Sequence, residues 1–255
     1  MEDELKKYSP MVDAKNPNLD EFEYYKLLEK YFSDSETNVV TKLKNFPKYV
    51  PRQDITRFLV RYEIFKKVLN IAGSIVECGV LHGAGLLTFA HLSSILEPVN
   101  QQRKIIGFDT FEGFPEDGGK YDNPDYAKKN TFNVDSFDDI NQAINLFDKN
   151  RFLNFLPKIK LVKGDVKDTI PSYIEEHPEL TISMLYIDLD LYEPTKIALE
   201  NFVPKMPKGG IIVFDDLNDS NWSGETMALF DTIGIKNLKL ERFPFDSRVA
   251  YAILD

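Results

Sequence analysis

The stretch Ser74-Ile-Val-Glu77-Cys-Gly79-Val-Leu81-His82-Gly83-Ala-Gly85 limits what this chain can fold into more than any other segment. An apolar run ends in an acid, glycines follow at 79, 83 and 85, and a helical pattern opens over 83–96. Glycines at such a junction let the backbone turn sharply and approach a ligand closely. The helix N-terminus behind them offers free N–H groups to a carboxylate or phosphate. Glu77 can accept from an ammonium group, directly or through water. A moiety with both charges, such as an amino acid, suits this pair better than a pyrophosphate. The bland alternative is a turn that only permits tight packing. The candidate cofactor contacts here are Glu77, Gly79, Leu81, His82, Gly83 and Gly85.

Around that turn the pattern alternates. Asp54 is expected to cap a helix in which Ile55, Phe58, Leu59, Tyr62, Phe65, Val68 and Leu69 recur at helical spacing until Gly73. Strands are expected over 74–79, 104–108, 159–163, 182–188 and 210–215. Helices are expected over 83–96, 137–150, 166–176, 193–203 and 224–233. Two further strands, 238–242 and 249–254, close the chain without a helix between them. Alternation predicts a parallel sheet with right-handed crossovers, and the closing pair predicts an antiparallel hairpin at one edge. The fold expected is therefore α/β: a Rossmann-like, seven-stranded, mostly parallel sheet with an antiparallel C-terminal hairpin. Thr110–Asp135, rich in Gly, Asp, Asn and Pro, is too long for a plain connector and reads as a lid. Residues 1–53 carry Pro10, Pro17, Pro47 and Pro51, one helix near Leu19–Tyr31 and a second short one. They read as a helical arm on a domain of residues 54–255.

In a parallel sheet, ligands bind outside the C-terminal strand ends. Asp109 ends the second strand, where an acid accepts from both ribose hydroxyls of an adenosine cofactor, and Thr110 follows it. Gly164-Asp165 ends the third strand. Asp165 either faces an adenine amino group or caps the next helix. Asp188 and Asp190 follow the fourth strand, and Asp215 and Asp216 the fifth. Carboxylates converging at one edge repel unless a cation lies among them. Hard oxygen ligands point to Mg²⁺, or to Mn²⁺ or Ca²⁺.

The formal net charge of -10 disfavours nucleic acid and anionic membranes as partners. The single Cys78 allows no intrachain disulfide. Met1–Asp20 lacks the apolar core of a signal peptide, and no run reaches the length of a membrane span. A cytoplasmic protein is expected, and a homo-oligomer is left open.

With these residues placed, the chain resembles the macrocin and mycinamicin sugar O-methyltransferase family from about Thr56 to the C-terminus. The likeness rests on Val76-Glu-Cys-Gly-Val80, Gly107-Phe-Asp-Thr-Phe-Glu-Gly-Phe-Pro115, Tyr186-Ile-Asp-Leu-Asp-Leu-Tyr-Glu-Pro-Thr-Lys196 and Gly209-Gly-Ile-Ile-Val-Phe-Asp-Asp216. The closing hairpin is also a habit of class I methyltransferases. The resemblance implies S-adenosylmethionine as methyl donor, Mg²⁺ as a helper, and a sugar-containing hydroxylated small molecule as acceptor. It implies metal ligands at Asp188, Asp215 and Asp216, with Asp188 also a candidate base. Departures exist. Where the family usually reads Trp-Arg-Gly-Gly-Ser, this chain has Leu81-His82-Gly83-Ala84-Gly85, and an aromatic expected after the third strand is replaced by Asp165-Val166. Residues 1–53 share no usable likeness.

Other readings compete. Tyr192-Glu-Pro-Thr-Lys196 matches the Tyr-xxx-Lys pair of short-chain NAD-dependent dehydrogenases, but Pro194 is expected to interrupt the helix that would align the two. A metal-dependent glycosyltransferase could use Asp188-Leu-Asp190, leaving Glu77, Asp109 and the glycine turn without a task. A non-catalytic protein of methyltransferase fold could keep the ligand site alone. His82, His91 and His177 fall in the turn, in mid-helix and in a connector. Leu191 stands where catechol-type methyltransferases keep a lysine. The base is then a carboxylate, Asp188 or Asp190, acting under a lid formed by Thr110–Asp135 and the N-terminal arm.

Overall fold

The computed structural model describes residues 18–255. The chain divides into two compact units that part between Ile55 and Thr56. In the first, α1 spans Leu19–Asp34 and α2 spans Val39–Lys44. Asn18 caps α1 through the N–H groups of Asp20 and Glu21, and Asn38 caps α2 through that of Thr41. Phe22 and Tyr25 are buried. Tyr49 stacks on Tyr31 and meets Phe32 edge-on.

Helix α3 runs Arg52–Val68. It corrects the expectation for Asp54, which lies in the first turn and not at the cap. The Pro51 carbonyl accepts the N–H groups of Asp54 and Ile55 and so opens the helix earlier. Asp54 still favours the helix start through the dipole.

The second unit is built on a sheet of β1 (Ser74–Cys78), β2 (Ile105–Asp109), β3 (Ile159–Lys163), β4 (Ile182–Ile187), β5 (Ile211–Phe214), β6 (Glu241–Arg242) and β7 (Ala250–Ile253). Its seven strands run in the order β3-β2-β1-β4-β5-β7-β6. The first five are parallel, and β7 pairs antiparallel with both β5 and β6. This is the α/β fold expected. β6 is shorter than the strand expected over 238–242, because a 3₁₀ turn at Ile235–Asn237 occupies the approach and only its last two residues reach β7.

The helices between strands are α4 (Ala84–Leu96), α5 (Phe137–Asp148), α6 (Val166–Glu176), α7 (Tyr192–Phe202) and α8 (Gly224–Asp231). Side chains alternate across a strand, so each central strand feeds two cores. Met184 and Tyr186 of β4 join Val60, Ile64, Phe65 and Phe89 of α3 and α4 on one face. Leu185 and Ile187 join Ile170, Leu199, Phe202 and Leu229 of α6, α7 and α8 on the other. Both faces are covered, as a parallel sheet requires. Burying a large side chain of this kind contributes about 1.5–3 kcal/mol.

Helix α7 includes Pro194 and continues through Lys196, which overturns the expected interruption. Pro194 occupies the first turn, where an N–H has no intrahelical acceptor and its absence is harmless. Lys196 does lie one turn beyond Tyr192, with its ammonium 5.8 Å from the Tyr192 ring centroid. The Tyr192 hydroxyl instead donates to Asp231 at 2.9 Å.

The order of strands reverses between β1 and β4, which makes their C-terminal ends the topological switch point. Gly79, at φ +89°, passes so close to β4 that an added Cβ would land on the Asp188 carbonyl oxygen. Residues 110–136 contain neither helix nor strand. They are nonetheless tied down. The Asp122 carboxylate accepts from Tyr192 N–H at 2.8 Å and Gly119 N–H at 2.7 Å, and the Ser223 hydroxyl donates to the Tyr121 carbonyl at 2.6 Å. Trp222 packs among Phe114, Tyr126 and Phe132.

Candidate active site

Two groups of residues meet at the switch point. The first is the glycine turn. Leu81 and Gly83 both take positive φ, at 48° and 82°, and Gly83 stands at the N-cap of α4. Asp109 crosses from β2 to hold this turn: one carboxylate oxygen accepts from Val80 N–H at 2.7 Å and Leu81 N–H at 2.9 Å. Its other oxygen accepts from Phe111 N–H at 2.7 Å, which leaves that oxygen a lone pair for a further donor. Thr110 donates to the Gly113 carbonyl at 2.7 Å. Gly164, at φ +137°, donates its N–H to the Asp109 carbonyl. Asp165 caps α6, its Oδ1 accepting from Lys167 N–H at 2.9 Å. His82 is exposed at the turn.

Glu77 lies inside the protein, only 2% exposed, beneath the first turn of α4. The Leu86 N–H donates to it, and Arg61 of α3 lies beside it. Burial, with added repulsion from Asp215 and Asp109, pushes its carboxyl up to about 8 against the pull of Arg61. Glu77 Oε2 and Arg61 Nε are both buried without a protein hydrogen-bond partner. An acceptor and a donor thus remain at this place, which fits a zwitterionic amino-acid group or a bridging water.

The second group is acidic. One carboxylate oxygen from each of Asp188, Asp215 and Asp216 falls within 4.8 Å of the others. Asp188 and Asp215 stand one residue beyond β4 and β5, whose parallel register places them side by side. Burial, then Asp215 and Asp216, raise the Asp188 carboxyl well above its ordinary value. Burial and Asp188 do the same to Asp190. Burial and Asp215 push Asp216 up to about 6 despite its ion pair with Arg248 at 2.6 Å. Burial would raise Asp215 as well, but Arg57 outweighs it and holds the carboxyl below its usual value. The Arg57 guanidinium grips both oxygens, at 2.5 and 2.8 Å, and the Tyr186 hydroxyl donates to Oδ1 at 2.7 Å. Asp215 therefore keeps an open lone pair on Oδ2. Hard oxygens, close spacing and the repulsion that still raises Asp188 and Asp216 despite the two arginines fit a divalent cation.

Sequence reasoning missed Arg57, Arg61, Tyr186, Glu225 and Arg248. A signal existed for the first two: Arg57 and Arg61 share one helical stripe with Ile64 and Val68, which are fully buried. A tyrosine inside an apolar strand likewise needs a hydroxyl partner. Glu225 and Arg248 carried no such mark.

A doubly covered sheet, a glycine turn at its switch point and acids at successive strand ends together define a class I methyltransferase. Within that class the chain belongs to the macrocin-O-methyltransferase (TylF) family, whose model matches residues 61–234. It is similar to the calicheamicin methyltransferase CalS11, with a TM-score of 0.87, 32% identity, and coverage of 93% of this chain and 94% of that one. The apo structure of CalS11, a TDP-rhamnose 3'-O-methyltransferase, aligns with a TM-score of 0.81 at 31% identity over 93% of this chain and 96% of that one. A tetracenomycin-C rhamnosyl 4'-O-methyltransferase of Streptomyces olivaceus is 28% identical over 149 residues, 58% of this chain and 54% of that protein. Demethyldecarbamoylnovobiocin O-methyltransferase of Streptomyces niveus is 30% identical over 153 residues, 58% and 53% of the respective chains. The chain thus matches about half the length of these two relatives. Among the described residues no helix is long and apolar enough to cross a membrane.

Proposed function

We propose that this chain is an O-methyltransferase that uses S-adenosylmethionine and a divalent cation, Mg²⁺ first among the candidates, to methylate a hydroxyl of a sugar-containing small molecule. The observation that carries the proposal is the adjacency of the glycine turn and the three-carboxylate cluster, with Gly79 packed against the Asp188 backbone. The named substrates of the relatives, TDP-rhamnose and a rhamnosylated tetracenomycin, support a glycosyl acceptor.

S-adenosylmethionine supplies an electrophilic methyl group. A bound divalent cation supplies charge that favours an ionised acceptor hydroxyl. Asp188, Asp215 and Asp216 would hold that cation. Glu77 and Arg61 set the polarity at the amino-acid end of the donor, and Gly79, Leu81, His82, Gly83 and Gly85 line its approach. Asp109 and Thr110 serve the ribose side, and Gly164 with Asp165 the adenine side. Asp188 takes the acceptor proton, and Asp190 is the alternative. Residues 110–135 act as a lid that excludes water and selects the acceptor; of the arm expected over 1–53, residues 1–17 lie outside the described residues, and 18–53 act as a helical arm.

The test is a mass-shift screen of the protein with S-adenosylmethionine, Mg²⁺ and a panel of nucleotide sugars and glycosides. A gain of one methyl group on a glycosyl hydroxyl is expected. EDTA should abolish it and Mg²⁺ restore it. Asp215→Asn should lower the rate by orders of magnitude while S-adenosylhomocysteine binding largely survives. Full turnover in chelator would refute the cation's part. No thermal shift with saturating S-adenosylhomocysteine would refute the donor.

A further inference from the structure

We propose that Glu225 is a positioning residue whose carboxylate joins the two acidic turns at the ends of β4 and β5 into one rigid unit. The inference rests on the reading of those turns as a cation and acceptor site. Glu225 lies in the first turn of α8 and is fully buried. Its Oε1 accepts the N–H of Leu189 at 3.1 Å and of Asp190 at 3.4 Å. Its Oε2 accepts the N–H of Asp216 at 3.3 Å. One side chain thus spans the backbone behind Asp188 and Asp190 and the backbone of Asp216.

The turn it holds is strained. Asp190 has φ +60°, and the Leu191 N–H donates to the Leu189 carbonyl at 2.5 Å across it. That closes a three-residue turn of the rare, left-handed kind. A residue other than glycine keeps such a conformation only where its surroundings over-determine it. Glu225 bonds two of the N–H groups in this turn. Gly224 completes the fit, since an added Cβ would strike the Asp190 carbonyl, the Tyr192 nitrogen and the Asp122 carboxylate.

A carboxylate is needed because both of its oxygens accept. An amide at the same place accepts through one oxygen and turns an N–H₂ group toward the second turn. Glutamine therefore keeps the volume and breaks the bridge, allowing Asp216 to drift relative to Asp188. Partners that orient ligands in this way typically change ion affinity about 10–100-fold.

The experiment measures Mn²⁺ affinity by electron paramagnetic resonance on the full chain and on Glu225→Gln, both saturated with S-adenosylhomocysteine. Glu225→Gln should bind Mn²⁺ about tenfold more weakly or worse, with S-adenosylhomocysteine affinity unchanged. A lower melting temperature with wild-type Mn²⁺ affinity would overturn the proposal, because a merely structural residue behaves that way. Should the variant not fold, amide exchange on the wild-type protein decides. The N–H groups of Leu189, Asp190 and Asp216 should open with one common free energy; independent opening would overturn the bridge. If the wild-type protein binds no Mn²⁺, the cation reading fails, and the exchange measurement still decides on Glu225.

Discussion

Glu77 illustrates how one residue can be set by burial more than by a partner. Its folded value of about 8 lies above the unfolded value near 4.5, because burial outweighs the attraction of Arg61. The folded state therefore binds the proton more tightly. The resulting stabilisation is complete below the unfolded value and is lost as pH climbs through the window from about 4.5 to 8. Glu77→Gln cannot titrate and should lack this term. Urea unfolding at several pH values should show the wild-type advantage over Glu77→Gln shrinking across that window. A difference that stays constant with pH would mean Arg61 keeps Glu77 ionised throughout. Asp109 makes the opposite case: it spends its charge on the N–H groups of Val80, Leu81 and Phe111, and so shapes the turn it faces.

At the scale of elements, the long segment 110–136 is a loop with anchors. Asp122 ties it to the first residue of α7, Ser223 ties it to the approach to α8, and Trp222 packs on its aromatic side chains. Loss of the Asp122 carboxylate leaves the N–H groups of Tyr192 and Gly119 without that acceptor. Each such hydrogen bond contributes about 1 kcal/mol. Asp122→Ala should therefore raise the rate of proteolytic cutting within 110–136 by roughly 5–30-fold, the factor that 1–2 kcal/mol of easier opening allows. An unchanged cutting pattern would show that the aromatic packing around Trp222 holds the loop alone. The same anchors reach α7 and α8, the helices that follow Asp188 and Asp216.

For the molecule as a whole, a net charge of -10 is joined to a buried concentration of like charge at one sheet edge. A cation bound there stabilises the folded state by mass action, about 2.7 kcal/mol at a hundredfold excess over its dissociation constant. For a domain of this size that is a rise of about 5–10 °C in melting temperature. Millimolar Mg²⁺ should raise the melting temperature relative to EDTA, and Asp215→Asn should lose most of the gain. NaCl at matched ionic strength is the control. If it gives the same rise in wild-type protein, the effect is general screening of an acidic surface and no specific ion is held.

Much of this was legible in the chain itself. The alternation of strand and helix, the glycine turn and the acids beyond each parallel strand are set by periodicity and local backbone chemistry, which act over a few residues. The sheet then collects the strand ends at one edge, so the alternation alone places Asp109, Asp188, Asp215 and Asp216 together. Local reasoning failed at Pro194, where a proline in the first helical turn proved compatible with the helix it was expected to break, and at Asp54, which lies in the first turn and not at the cap. The counter-charges were decided by tertiary structure alone. Arg57 reaches Asp215 across 158 residues of sequence, and Glu225 reaches Leu189 across 36. Such pairings depend on which helix faces pack over which strand ends, and on the desolvation that packing brings. Sequence determined which acids share the edge; only the folded arrangement decided which of them are neutralised by arginine, which are left to repel, and which one braces the rest.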